Sequence, residues 1–252
     1  MAPPKPIIHL AIVGMARSGT TMLSDLLTDP PAKRVCLTEP RLHSNKPYRR
    51  GKRTYFDSIG FEGAAAPKDV VARLGEMERV GVKEVRKRNI KRMYKQFDVR
   101  KTIVIVRDAR ACLLSYHTKH SKSDAKHKKF PGKLFIRTSR IIDELLSSLP
   151  EDRVRLVRYE EFVKDESMRE SLEEWLDWPL SGDVSAIMKT RRGRGTEVER
   201  HSGVVSAASV GREETPPTPE QRVELEPVLR KIESFQTRFG YPTRFASSPE
   251  GD

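Results

Sequence analysis

The sequence predicts an α/β fold with a central parallel sheet covered by helices on both faces. Short apolar runs at residues 7–13, 80–85 and 102–106 have the length and β-branched composition of buried strands. Two further short runs, at residues 35–37 and 153–157, continue the alternation of strand and helix patterns. Strands that alternate with helices usually pair in parallel, since each helical crossover returns the chain to the same end of the sheet.

Helical patterns occupy the segments between these strands. Apolar side chains at helical spacing predict helices at residues 20–27, 69–79, 87–97, 108–117, 134–149, 169–176, 182–189 and 218–238. Thr218 and Pro219 fit the start of the last helix, and Pro227 predicts a kink or break inside it. Residues 41–66 and 191–217 show little periodicity and are expected to form long loops.

Length and composition limit the domain organisation and the compartment. A chain of 252 residues suits one sizeable domain, which we place at residues 7–242, after a lead-in at 1–6 and before a flexible tail at 243–252. No apolar run is long enough to span a membrane, and no secretory signal pattern is present. Cys36 and Cys112 form no Cys-x-x-Cys pair, so we expect a reducing, cytoplasmic compartment.

The chain is strongly basic, with a formal net charge of +13. Such a charge attracts anions, but it does not by itself distinguish nucleic acid, an anionic membrane, an acidic polysaccharide and a charged nucleotide. Basic clusters at residues 48–53, 83–95 and 117–129 also fit solvated helix faces and loops. Because no helix-turn-helix, zinc-finger or aromatic RNA-binding pattern is present, nucleic acid is not an expected partner.

The loop after the first strand has the composition of a phosphate-binding site. Glycines in Gly14–Thr21 let backbone N–H groups turn inward, and the helix that follows adds partial positive charge. Ser18, Thr20 and Thr21 offer hydroxyl groups, and Arg17 supplies a permanent cation. Thr20 stands where a nucleotide P-loop carries lysine, so the fold is predicted to be P-loop-like without the usual triphosphate contact.

A second phosphate site is predicted where the strand at residues 102–106 ends. Arg107 follows that strand, and Ser115 lies two helical turns further along the same side. An arginine and a serine in this arrangement can share one phosphate through charge-assisted hydrogen bonds. The segment alone leaves an alternative open, in which Asp108 caps the helix and Arg107 forms a surface ion pair.

The two segments together resemble those of sulfotransferases that use 3′-phosphoadenosine 5′-phosphosulfate (PAPS), in the bacterial, Golgi carbohydrate and tyrosylprotein branch. Arg17-Ser18-Gly19-Thr20-Thr21 is similar to the family's 5′-phosphosulfate loop. Val-Arg-Asp-x-Arg followed by a serine is similar to its 3′-phosphate motif, with Arg107 and Ser115 as the matching ligands. The resemblance implies PAPS as co-substrate, 3′-phosphoadenosine 5′-phosphate (PAP) as product, and no metal.

A third segment resembles the family's nucleotide-covering loop. It is Ser209-Val210-Gly211-Arg212, and the resemblance implies that Arg212 meets the 3′-phosphate. The family often continues with tryptophan, where this chain has Glu213. Aromatic stacking on the nucleotide is therefore not expected from that position.

Glu39 is the preferred candidate for the catalytic base. Thr38-Glu39-Pro40 follows the second strand and resembles the segment of Golgi carbohydrate and tyrosylprotein sulfotransferases in which a glutamate is the proposed base. His43, His117 and His120 are rivals, because cytosolic sulfotransferases use a histidine and its pKa suits proton transfer near neutrality. The residues alone leave the choice open.

The remaining catalytic candidates are cations. The resemblance implies that Arg17 reaches the sulfuryl oxygens and that Lys83, near the end of the third strand, lies close to the leaving group. The acceptor is expected to be a hydroxyl or amine of a small molecule or glycan, and the sequence does not identify it or the oligomeric state. A P-loop kinase or NTPase and a basic polyanion-binding protein are the alternative functions.

Overall fold

The computed structural model describes residues 4–121, 130–180, 210–211 and 216–246. Side-chain positions are described for those residues except His120 and Ser121. The predicted helix at residues 182–189 and the nucleotide-covering Arg212 lie outside the described residues.

One parallel sheet of five strands forms the centre of the described part of the molecule. The strand order is β2-β3-β1-β4-β5, and every neighbouring pair is parallel. The strands are β1 (Ile7–Gly14), β2 (Arg34–Thr38), β3 (Arg79–Glu84), β4 (Asp98–Val106) and β5 (Val154–Arg158). All five correspond to predicted runs, and β4 starts earlier because Asp98 and Val99 also pair with β1. The predicted α/β fold is therefore confirmed.

Ten helices surround the sheet in the described residues. They are α1 (Thr20–Leu26), α2 (Arg50–Asp57), α3 (Pro67–Ala72), α4 (Lys87–Gln96), α5 (Ala109–Ser121), α6 (Gly132–Ser148), α7 (Tyr159–Phe162), α8 (Glu166–Leu176), α9 (Pro219–Arg230) and α10 (Glu233–Arg238).

Three predictions of local structure were wrong in detail. The pattern at residues 69–79 is divided among the short α3, a 3₁₀ turn and the start of β3, because buried Val70 and Leu74 belong to different turns. The expected loop at residues 41–66 contains α2, whose apolar side comprises Tyr55 and Phe56. α5 continues to Ser121, past the expected end at His117.

The C-terminal helix breaks at a different place from the one expected. Pro227 lies inside α9, and the helix continues through it to Arg230. A proline removes the hydrogen bond to the carbonyl four residues earlier, here that of Val223, a residue whose 75% exposure leaves water free to solvate it. The chain instead turns at Ile232 before α10 begins. Thr218 caps the start of α9, as predicted, and its hydroxyl accepts the Gln221 N–H.

Helices cover both faces of the sheet, as the sequence predicts. On one face α1 and α8 pack their leucines against Ile103, Ile105 and Val157. On the other face α5, α6, α9 and α10 surround Val104 and Val106. A third apolar cluster joins α2 and α3 to β2 and β3.

The carboxyl ends of β1 and β4 form the crevice in which ligands of such folds bind. Gly14 pairs with Ile105 at the end of the β1–β4 ladder. The chain leaves β1 through α1 on one face of the sheet and leaves β4 through α5 on the other. Neighbouring strands whose connections diverge in this way leave an open crevice at their carboxyl ends. Among the described helices, none is long and apolar enough to cross a membrane.

Candidate active site

The loop after β1 is a tight turn held by its own backbone. The Ser18 N–H donates to the Met15 carbonyl at 3.1 Å, and the Ser18 hydroxyl donates to the same oxygen at 2.8 Å. The Ser18 side chain is fully buried, so its hydroxyl shapes the loop from inside. Arg17 and Gly19 take positive φ angles of 73° and 92°. A left-handed backbone is costly for a side chain such as arginine and is a frequent feature of ligand-binding turns.

Close packing explains why this loop needs its two glycines. A Cβ on Gly14 would lie 2.5 Å from the Ser18 Oγ and 2.7 Å from the Ile105 carbonyl oxygen. A Cβ on Gly19 would lie 2.4 Å from the Tyr159 ring. The first N–H groups of α1 have no partner within the helix, so they remain available at the crevice. Thr20 is buried and Thr21 is exposed at this point.

The two predicted phosphate segments meet in the structure. The Arg17 Nε donates to the Ser115 Oγ at 3.0 Å, across a separation of 98 residues. The Arg107 Nη1 donates to the Arg17 carbonyl at 3.2 Å. Two guanidinium groups and a hydroxyl from segments after β1 and β4 therefore share one site. Such a group of donors suits a ligand with two phosphate-type anions.

The segment after β5 packs against Arg107 and the start of α5. The Arg107 guanidinium carbon lies 4.4 Å from the centroid of the Tyr159 ring, and Arg107 is only 6% exposed. The Glu160 Oε1 accepts the Asp108 N–H at 3.1 Å, and its Oε2 accepts the Tyr241 hydroxyl at 2.7 Å. These contacts hold the start of α5 and the Arg107 side chain against the segment after β5.

Asp108 and Arg110 have a structural role. Arg110 forms a buried ion pair with Asp108 at 2.6 Å, and the Arg110 N–H donates to Asp108 Oδ1 at 2.8 Å. Gln236 of α10 donates to the same carboxylate at 3.0 Å. Asp108 thus caps α5, as in the open alternative, while the Arg107 guanidinium donates to the carbonyl of Arg17 at the crevice.

Glu39 and Lys83 form an ion pair at the ends of β2 and β3. The Lys83 Nζ donates to the Glu39 Oε1 at 2.7 Å, with Lys83 5% exposed and Glu39 34% exposed. The ladder sets this contact, because Thr38 pairs with Lys83 and the Glu39 N–H donates to the Lys83 carbonyl at 2.8 Å. Two candidates that lie far apart in the sequence are thereby brought together.

The charges around Glu39 keep its carboxyl ionised. Burial alone would raise the pKa of Glu39, but the Lys83 ammonium beside it, with Arg86 and Lys52 further away, lowers the pKa below its ordinary value. A carboxylate of this kind is unprotonated at neutral pH and so can accept a proton. The Glu39 backbone has a φ of 45°, and that of Arg41 is 54°.

Lys52 was not anticipated from the sequence. Its Nζ donates to the Thr38 carbonyl at 2.6 Å and to the Glu39 carbonyl at 3.1 Å, so it closes the strained turn at Glu39. It lies in α2, within the segment expected to be a loop. No local pattern around Lys52 points to the end of β2, and only the packing of α2 onto that strand brings it there.

Glu84 is a second carboxyl group near the same strand ends, and it is 2% exposed. The Asn89 Nδ2 donates to its Oε2 at 3.1 Å. Burial, with a smaller contribution from the Glu39 charge, raises the pKa of Glu84 to about 7. A small cavity next to Glu84 is also lined by Pro40, His43 and Met93.

The three rival histidines have different surroundings. His43 is half-buried, and that burial together with Arg92, Arg88 and Arg41 lowers its pKa. His117 faces the C-terminal helix α9, with its Nε2 3.4 Å from a Glu224 carboxylate oxygen. The His120 side chain lies outside the described positions. The environment of His43 therefore favours a neutral imidazole.

In residues 4–121, 130–180, 210–211 and 216–246, no group of three or more His, Cys, Asp or Glu side chains is arranged to hold a metal ion.

Comparisons with known proteins identify the family and its fold. A family model described as "Sulfotransferase domain" matches residues 8–190. No curated protein matches the sequence. Among solved structures, the sulfotransferase domain from the curacin biosynthetic pathway has a TM-score of 0.64 at 15% identity, covering 95% of this chain and 99% of that one. The sulfotransferase domain of the olefin synthase from Synechococcus PCC 7002 has a TM-score of 0.59 at 16% identity, covering 93% of this chain and 96% of that one.

The two structural relatives confirm the fold, and the family match covers most of the chain. The match also spans both phosphate segments and the Glu39–Lys83 pair. The chain belongs to the sulfotransferase family and is a PAPS-dependent sulfotransferase.

Proposed function

We propose that the protein transfers the sulfuryl group of PAPS to a hydroxyl or amine of a small-molecule or glycan-type acceptor, with Glu39 as the base. The observation that carries this proposal is the contact between the two phosphate segments, in which Arg17 bonds to Ser115 and Arg107 bonds to the Arg17 carbonyl. The Glu39–Lys83 pair lies at the carboxyl ends of strands in the same sheet. Parallel strands present all these groups on one rim.

In this proposal the residues of β1 and β4 hold the nucleotide. The loop formed by Ser18, Gly19, Thr20 and Thr21 binds the 5′-phosphosulfate through N–H groups and hydroxyls that precede and open α1. For Ser18 the contribution is its place in the backbone, since its hydroxyl is engaged with Met15.

The remaining nucleotide ligands are arginines and one serine. Arg107 and Ser115 bind the 3′-phosphate, and Arg17 reaches from Ser115 towards the sulfuryl oxygens. Guanidinium groups held in place before binding need no reorganisation as negative charge develops. Arg212 is proposed to complete the 3′-phosphate site, although it lies outside the described residues.

The chemistry proposed for Glu39 is general base catalysis. Lys83 occupies Oε1 of the carboxylate, and none of the described residues donates to Oε2. Oε2 accepts the proton of the acceptor hydroxyl or amine while that oxygen or nitrogen forms its bond to sulfur. The bond from sulfur to the bridging oxygen breaks, and the electron pair leaves with PAP. The ionised state of Glu39 prepares it for this role.

Lys83 is proposed to act on both the base Glu39 and the leaving group. Its ammonium has three N–H groups, of which one holds Glu39 in position. The other two can donate to the phosphate oxygen that gains charge as the sulfuryl group departs. No metal is needed in this scheme, since arginine and lysine supply the positive charge. A cytoplasmic location is proposed as well, because Cys36 and Cys112 are buried and are not joined in a disulfide.

Calorimetry with PAP in metal-free buffer tests this proposal, with ATP as comparator. We expect PAP to bind with a Kd of micromolar order, about −8 kcal/mol, and ATP to bind more weakly. Arg107→Ala should reduce PAP affinity by about a hundredfold, because it removes a buried guanidinium from a phosphate. Arg100→Ala, an exposed arginine at the opposite end of β4, is the matched control. If ATP instead binds tightly once magnesium is added to the same buffer, the protein is kinase-like.

A further inference from the structure

The loops around Glu39 carry positive charge beyond that of Lys83. Arg41 follows Glu39 by two residues and Arg86 follows Lys83 by three. Because Thr38 pairs with Lys83 in the β2–β3 ladder, these two loops leave the sheet side by side. Arg88 and Arg92 occupy successive turns on one side of α4, which starts directly after Arg86.

Three of these arginines lie near the imidazole of His43. Arg41, Arg88 and Arg92 all lie close enough for their charges to act on His43. His43 also lines the same cavity as Asn89 and Met93 of α4. The loop that carries His43 is therefore seated on α4, next to the turns that present Arg88 and Arg92.

The fourth arginine links this group to the candidate base. The charge of Arg86 acts on Glu39, and it acts also on Tyr116, one residue beyond Ser115. The cations therefore extend from the loop after β2, across the start of α4, towards the side of the site on which Ser115 lies.

These arginines differ from many others in the protein. Arg34, Arg110 and Arg238, for example, form ion pairs with aspartates at 2.8, 2.6 and 2.8 Å. Within the described part of the chain, Arg41, Arg86, Arg88 and Arg92 have no ion pair and no side-chain hydrogen bond. Arg41, Arg86 and Arg88 are exposed, and Arg92 is half-buried.

A group of like charges without carboxylate partners is repulsive, and a bound anion removes that repulsion. We propose that Arg41, Arg86, Arg88 and Arg92 form a second anion-binding site beside Glu39, and that the acceptor carries a carboxylate, sulfate or phosphate group bound there. The hydroxyl or amine of the same molecule then faces Glu39. This inference rests on the proposed function, because it names the class of acceptor for that reaction.

The imidazole of His43 provides a reporter for this site. An anion bound among the arginines offsets their repulsion of the imidazolium and so raises the pKa of His43. The protein is first saturated with PAP, so that the nucleotide site is filled. Pyrophosphate, citrate or sodium chloride of equal ionic strength is then added while the His43 resonance is titrated by NMR, with His43→Asn for assignment.

We expect pyrophosphate or citrate to raise the pKa of His43 in a saturable way that sodium chloride does not reproduce. The stronger of the two identifies a phosphate-type or a carboxylate-type group. The double variant Arg88→Gln, Arg92→Gln should weaken binding of the effective anion by about tenfold or more, since it removes two charge-assisted donors. The control, Arg230→Gln with Lys231→Gln, removes two exposed charges at the end of α9 and should leave binding unchanged.

Two outcomes overturn the inference while PAP binding stands. One is the absence of a saturable response to either anion, and the other is an equal loss of binding in the control variant. Calorimetry of PAP on the same samples separates these results from failure of the proposed function. If PAP itself does not bind, the nucleotide assignment fails, and the acceptor inference fails with it.

Discussion

The two sides of the active-site rim use their positive charges in different ways. We call the loops after β1 and β4 the cofactor side and the loops after β2 and β3 the acceptor side. On the cofactor side, Arg17 bonds to Ser115, and Arg107 bonds to Arg17 and stacks on Tyr159. On the acceptor side, the arginines around Glu39 make no ion pair with described residues.

This difference suggests that the cofactor side is organised by the protein, whereas the acceptor side is completed by its ligand. Fixed guanidinium groups lose little freedom when a phosphate binds, so little of the binding free energy is lost in ordering them. Exposed arginines gain both order and a counter-charge from an anionic ligand. The only ion pair at the strand ends of the acceptor side in the described residues is the one that holds the candidate base.

Replacement of the base should have the largest effect. Glu39→Gln keeps the shape of the side chain and its acceptor for Lys83 but can no longer take a proton. We expect kcat for transfer of radiolabelled sulfuryl from PAPS to fall by about 10²–10⁴-fold, with PAP affinity nearly unchanged. Glu170→Gln, an exposed glutamate on α8, should retain full activity.

The pH profile distinguishes Glu39 from His43. The pKa of Glu39 is lowered from its ordinary value of 4.5, so activity that depends on its carboxylate falls only as pH drops below that value. The pKa of His43 is lowered from 6.5, so a His43 base would give a limb below 6.5. If His43→Asn is inactive while Glu39→Gln retains activity and the limb, the base is His43.

The buried carboxyl of Glu84, on the acceptor side, should make the free energy of unfolding depend on pH. Burial raises its pKa in the folded protein from 4.5 to about 7, so the folded state holds this proton more tightly than the unfolded state does. The free energy of unfolding therefore decreases as pH rises from 4.5 to about 7, by about 3 kcal/mol for this group. Glu84→Gln removes this pH-dependent loss of stability, because an amide does not ionise. Its oxygen can still accept the Asn89 hydrogen bond.

Urea unfolding measures the effect of Glu84→Gln. We expect the variant to be more stable than the original protein at pH 8, by up to about 3 kcal/mol, with the advantage disappearing towards pH 4.5. Glu174→Gln, an exposed glutamate on α8, provides the matched control and should show no such dependence. An advantage for Glu84→Gln that is the same at both pH values would mean that the Glu84 proton is not responsible.

The same contrast explains what the sequence could predict. The cofactor side is encoded by two contiguous segments, each placed directly after a strand, so Arg17, Arg107 and Ser115 were identifiable before their contact was known. The strands were equally identifiable, because those of a parallel sheet are continuous apolar runs. The role of Asp108 was ambiguous in sequence, since its carboxylate is held by Gln236 of a distant helix.

The acceptor side could be predicted only in part. Glu39 and Lys83 were recognisable as separate candidates, but their ion pair results from the register of β2 with β3. Lys52 reaches the turn at Glu39 only because α2 packs on β2, within a segment that has no clear pattern. Glu84 looks like an ordinary charged residue in the sequence, and burial next to Asn89 gives it a proton-binding property that composition does not reveal.

The smallest effect concerns the hydroxyl that joins the two phosphate segments. Ser115→Ala removes the acceptor of the Arg17 Nε hydrogen bond and, in the proposed site, one donor to the 3′-phosphate. A hydrogen bond of this kind contributes about 1 kcal/mol, so PAP affinity should fall by about fivefold, less than in Arg107→Ala. Calorimetry of Ser115→Ala beside Ser147→Ala, an exposed serine on α6, measures the difference. Equal affinities in the two variants would show that Ser115 only positions Arg17, and that the cofactor side then depends on its arginines alone.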